Sequence, residues 1–159
     1  MRLARALHLD ESDAQVFHRV AAAGEWVVPG GFEFSNWEEA DLTGKARQEF
    51  ANGWLGLDSF GRVTLVAVAR ISEAEMAALE HALAAHFVAL YGAPDIAAAL
   101  PVARDELAHM AELCAGLDDG TLLALSRELS DAGLRESFRV LESNAADLAQ
   151  IAPHQPPGL

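Results

Sequence analysis

Apolar positions along this chain change their period near residue 72. Before it, they alternate or form short apolar runs broken by Gly, Pro and Asp. After it, they recur every three or four residues. Alternation places side chains on one face of a strand, whereas the longer period places them on one face of a helix. Residues 2–9, with Leu3, Leu7 and Leu9 on one side, predict a strand. Residues 15–20, 25–28 and 32–35 predict three more, with turn signals at 10–13, 21–24 and Pro29-Gly30-Gly31. Residues 62–70 (RVTLVAVAR) are apolar throughout their centre and predict an interior strand covered on both faces. Between these, residues 43–52 predict a short helix with Thr43 as N-cap, ended by Gly53.

The second texture opens with a capping box, Ser72 and Glu75. It predicts helix 73–91, with Met76, Leu79, Leu83, Phe87 and Leu90 on one face and Gly92 and Pro94 as its stop. Pro101 suits the first position of a helix over 101–115, striped by Ala103, Leu107, Met110 and Cys114. Asp118-Asp119-Gly120 turns into a helix over 121–132, and Gly133 separates it from another over 134–150. The tail 153–159 carries three prolines and predicts a frayed end. Strands followed by helices predict an α+β fold. The expectation is an antiparallel N-terminal sheet of about 4–5 strands over residues 2–71, packed against four C-terminal helices. One domain over 1–152 follows from a length of 159 residues.

Composition narrows the function classes. Eleven Lys and Arg face 24 Asp and Glu, a formal charge of −13. With one lysine and scattered arginines, no cationic patch forms to displace the counterions of a nucleic acid, nor to hold an anionic membrane surface. No stretch is long and apolar enough to span a bilayer, and the N-terminus lacks a signal-peptide pattern, so a cytoplasmic location is expected. The single cysteine, Cys114, rules out an intrachain disulfide and suits a reducing compartment.

Motifs with chemistry are sparse. Glu106 and His109 form one Glu-x-x-His, half of a di-iron carboxylate motif, so they are the only metal candidates and a solvated helix face is the alternative. His81 and His86 lie five residues apart, about 500° around a helix, and cannot chelate together. Thr43-Gly44-Lys45 lacks the glycine-rich run and the hydroxyl of a phosphate loop, and Glu38, Glu39 and Asp41 precede it. Lys45 and Arg47 are expected to pair with those acids. Cys114 has no neighbouring cation to activate it. No catalytic residue and no cofactor is expected. Residues 32–61 hold two of the three tryptophans and the lone lysine. Trp37, Lys45, Trp54 and His86 are therefore the candidates for a ligand or partner surface.

That segment, the strand Arg62–Arg70 and the run PVARDELAH over 101–109 resemble a domain-of-unknown-function family of small acidic proteins from alphaproteobacteria. The resemblance extends to about residue 142. It implies an accessory or partner role beside molybdenum-dependent oxidoreductases of the formate dehydrogenase type, and it transfers no functional residue.

Two functions are thus expected in competition. One is a non-catalytic cytoplasmic accessory or protein-interaction protein, homodimeric through small residues such as Ala84, Ala85, Ala97, Ala98 and Ala99. The other is a small-molecule-binding protein or small enzyme with a pocket between sheet and helices, lined by Trp37, Trp54 and His86.

Overall fold

The computed structural model describes residues 1–8 and 12–141. Its strands are β1 (Arg2–Leu7), β2 (Trp26–Val28), β3 (Trp54–Gly56), β4 (Arg62–Val63), β5 (Leu65–Arg70), β6 (Leu122–Ser130) and β7 (Gly133–Leu141). Its α-helices are α1 (Ser12–Val16), α2 (Gly44–Asn52), α3 (Glu73–Leu90) and α4 (Ile96–Cys114). The strands form one sheet in the order β4-β3-β2-β1-β5-β6-β7, with antiparallel neighbours throughout.

The sheet curls, and Thr64 is the reason. Only Thr64 separates β4 from β5, yet β4 ends the sheet beyond β3 while β5 pairs with β1. The strand predicted over 62–70 therefore bends in its middle. A bend costs the backbone its ladder partners, and a buried acid supplies one back. Asp13, 7% exposed on α1, accepts from the Thr64 hydroxyl at 2.7 Å and from its amide at 3.4 Å.

Helices α3 and α4 pack against each other, and α4 lies on β1 and β2. Ser72 caps α3, and Glu75 returns the bond to the Ser72 amide. Asp95 caps α4 through the Ala98 amide. Leu83, Ala84 and Phe87 on α3 and Ala99, Ala103, Leu107, Met110 and Cys114 on α4 are buried in a core with Leu3, Val27, Val66, Leu123 and Leu125. Ala84 and Ala99, read from sequence as contact-surface alanines, thus belong to the core, while Leu90 is exposed.

The α+β class stands, with several corrections. The sheet has seven strands rather than 4–5, and it is not confined to residues 2–71. The helices expected over 121–132 and 134–150 are, within the described residues, a β-hairpin. It pairs from Leu122↔Leu141 to Ser130↔Gly133. Leu, Ala, Arg and Glu favour helix locally, but Leu123, Leu125 and Arg127 alternate inward, and tertiary burial overrides propensity. Gly133 (φ +107°) closes the two-residue turn instead of breaking a helix.

Residues 15–20 form no strand: Ser12–Val16 is helical, and only Val20 makes an isolated parallel bridge to Arg62. Residues 32–35 fall largely in a 3-10 turn, Gly31–Phe34, because Gly30 (φ +71°) reverses the chain just before it. The strand β3 was hidden by the glycines at 53 and 56. Helix α2 matches the expected 43–52, but the Thr43 side chain makes no capping bond. Helix α4 begins five residues early. Pro101 lies inside it, at the cost of one amide donor. Leu9, the remainder of the helix expected to 150, and the tail 153–159 lie outside the described residues.

Candidate functional site

The site grows from two buried arginines around the turn at Pro29-Gly30-Gly31. Arg62 on β4 donates through Nη1 to the carbonyls of Pro29 (3.2 Å) and Gly53 (3.0 Å). Its Nη2 donates to the Gly30 carbonyl (3.1 Å) and to Glu33 Oε1 (2.5 Å). Arg127 on β6 donates to the carbonyls of Phe50 (2.6 Å) and Pro29 (2.9 Å) and pairs with Glu136 directly across the hairpin. Both guanidinium groups lie over the Phe34 ring, 4.6 and 5.0 Å from its centroid. Burial lowers the Arg62 guanidinium to about 10, with Glu33 opposing and Arg127 reinforcing the shift, so it stays charged near neutrality. Burial also lowers Arg127, opposed by Glu136.

Glycine is required at 30 on two counts. Its φ is positive, and a Cβ there would stand 2.5 Å from Leu55 Cβ and 3.0 Å from Arg62 Nη1.

Glu33 is the hub on the other side. Its Oε2 accepts the Tyr91 hydroxyl at 2.5 Å, at the C-terminal cap of α3. His86 Nε2 stands 3.7 Å from the same oxygen, too far for a hydrogen bond, and it is buried without a partner. The His86 ring stacks on Phe60 at 3.7 Å with 3° between planes. Phe60 itself holds a positive φ (56°), in a turn whose amides at 58 and 59 donate to the Glu25 carboxylate. Burial lowers the His86 imidazole below its usual value, opposed by Glu33. Loss of solvent, then the Glu33 carboxylate, raise the Tyr91 phenol.

Between Glu33 and α2 lies a cavity of about 400 Å3. One wall is Glu33, Phe34, Arg62 and Tyr91, and the other is His18, Ala46 and Glu49, with Trp37 completing the lining. Trp37 meets Phe34 edge to face at 4.8 Å. His18 Nδ1 and the His18 amide both contact Glu49 Oε1, at 2.5 and 3.3 Å.

The residues singled out from sequence are scattered by the fold. Trp37 lines the cavity. His86 does not line it and lies behind Glu33 and Tyr91. Trp54 is fully buried elsewhere, 5.7 Å from Phe138, with its indole N–H unpartnered. Lys45 is exposed on α2, and among the described residues no ion pair joins it or Arg47 to Glu38, Glu39 or Asp41. Asp41 instead closes a capping box with Glu38. Glu106 and His109 lie on α4, where burial and then Glu136 raise the Glu106 carboxyl. The His109 ring meets Phe138 edge to face. Among the described residues no group of three or more His, Cys, Asp or Glu could hold a metal. No helix among them is long and apolar enough to cross a membrane.

Sequence reasoning missed Glu33, Arg62, Tyr91 and the His18–Glu49 pair. Arg62 carried the one legible signal, a charge opening an apolar strand. The others come from four separate segments and share no spacing.

Neither the curated proteins nor the solved structures contain a match to this chain. A family model described as a family of unknown function, DUF6505, matches residues 1–157, and the chain belongs to that family.

Proposed function

We propose that this protein binds a small molecule non-catalytically in the cavity between Glu33 and α2. The observation that carries this reading is the convergence of three aromatic rings and two carboxylates on one concave space of about 400 Å3. Mostly apolar concavities with a few placed polar groups are the usual form of ligand sites. The lining offers two carboxylates, an imidazole and aromatic rings that can hold and orient a ligand. A fragment screen followed by amide and indole NMR shifts tests it. Shifts centred on Phe34, Trp37 and Tyr91, lost in Trp37→Ala, are expected. Hits that all map away from these residues would retire the reading.

A second reading keeps the accessory role implied by the resemblance, beside a molybdenum-dependent enzyme, with protein contact through the turn joining α3 to α4. It is supported by Leu90 (67% exposed), Tyr91 (43%) and Ile96 (37%) flanking that turn. A homodimer through this face predicts a dimer mass in sedimentation that Leu90→Asp converts to monomer. A monomer in both would remove it.

A further inference from the structure

We infer that the cavity takes a small organic cation, an ammonium or guanidinium group on an apolar body. This rests on the binding reading above and names its ligand class.

Which lining groups can still bond a ligand is decided by which are already occupied. Each η nitrogen of Arg62 carries two N–H bonds, and all four meet acceptors: the carbonyls of Pro29, Gly53 and Gly30, and Glu33. Arg62 therefore has no η donor left for an anionic ligand. The acceptors are less exhausted. Glu49 Oε1 serves His18 twice, whereas no described residue donates to Glu49 Oε2, although the side chain is only 17% exposed. Each Glu33 oxygen takes one protein donor and retains a second lone pair. Beside Glu33, burial disfavours the charged form of His86, and its Nε2 stands 3.7 Å from Oε2 with no hydrogen-bond partner among the described residues, so it leaves that oxygen a lone pair.

The rings add an independent pull in the same direction. Phe34, Trp37 and Tyr91 line the cavity; the Phe34 ring already carries the Arg62 and Arg127 guanidinium groups, so the pull on a ligand comes from Trp37 and Tyr91. Aromatic faces attract cations through the ring quadrupole, and a charge-assisted bond to a carboxylate is stronger than a neutral one. Lys45 and Arg47 are exposed on α2 and do not line the cavity.

The test uses three matched probes on the full chain: benzylammonium, benzyl alcohol and benzoate, followed by NMR shifts. Benzylammonium is expected to shift Phe34, Trp37, Glu49 and Tyr91, with benzyl alcohol about tenfold weaker and benzoate silent. Glu49→Gln is expected to weaken benzylammonium by a larger factor than benzyl alcohol. If alcohol or benzoate binds these residues as tightly as the ammonium, the cation inference falls while the pocket reading survives. If none of the three shifts any lining residue, and the fragment screen finds no ligand there, both fall. The wild-type comparison stands even where Glu49→Gln, which loses a charged partner of His18, fails to fold.

Discussion

Arg62 and Arg127 share one acceptor. Nη1 of the first and Nη2 of the second both donate to the carbonyl oxygen of Pro29, at 3.2 and 2.9 Å. Two like charges converge there because every neighbour compensates them: backbone carbonyls around the Pro29-Gly30-Gly31 turn, the Phe34 ring, and one carboxylate each. The turn, the curled end of the sheet and the C-terminal hairpin are thereby tied together, and one wall of the cavity rests on that tie.

Removing one partner of a buried pair leaves the other uncompensated, which costs more than the pair contributes. Arg127→Met strands the partly buried Glu136, frees the carbonyl of Phe50 and leaves that of Pro29 with Arg62 alone. A loss of about 3 kcal/mol is expected by urea unfolding. Adding Glu136→Leu is expected to restore much of it. A single variant as stable as the parent would show that Arg127 holds nothing.

Gly30→Ala meets both a left-handed backbone and a crowded Cβ position. A destabilisation of about 2–3 kcal/mol is expected. The contrasting control is Gly116→Ala, also at positive φ (+78°) but with open space around its Cβ. It should lose less. Equal losses would mean that packing against Leu55 and Arg62 is irrelevant.

Acid should destabilise the fold through His86. In the unfolded chain the imidazole takes its proton near pH ~6.5. In the fold it does so only at lower pH, because burial disfavours the charge more than Glu33 favours it. The groups around the ring are Glu33, 3.7 Å from Nε2, and the Tyr91 and Phe60 rings, so Glu33 alone offsets part of the cost of burying the charge. The unfolded state thus binds more protons in that window, and stability falls as pH drops through about 6.5. Well above it both states are neutral and the contribution disappears. His86→Phe should flatten the stability profile between about pH 7.5 and 5.5. Superimposable profiles for variant and parent would exclude this residue as the source.

Burial pushes the Cys114 thiol up to about 11. The thiolate is the nucleophile, so a disulfide reagent at about pH 8 should leave the native protein unmodified and label it on unfolding. Rapid labelling of folded protein would contradict the burial of Cys114 on α4.

Much of the fold was legible in local chemistry. The Ser72–Glu75 box and the 3–4 spacing of Met76, Leu83 and Phe87 specify α3 without outside help. The central strand β1 and the turn at Pro29-Gly30-Gly31 were equally visible. The C-terminal hairpin was not, because Leu, Ala, Arg and Glu favour helix in isolation. Its alternation was also masked by Arg127, a charge in an inward position that only Glu136 and two carbonyls make tolerable.

The site was less legible. Trp37 was visible as an aromatic in a polar segment. Glu33 and Tyr91 look like ordinary surface residues until the fold places them within hydrogen-bond reach, and Arg62 shows only as a charge opening an apolar strand. What the sequence alone determined was period, caps and turns, which depend on neighbours a few residues apart. The bend at Thr64, the partner of each buried charge and the cavity were decided by tertiary structure. Each depends on groups that are distant along the chain and become neighbours only when burial makes an unpaired charge too costly to leave.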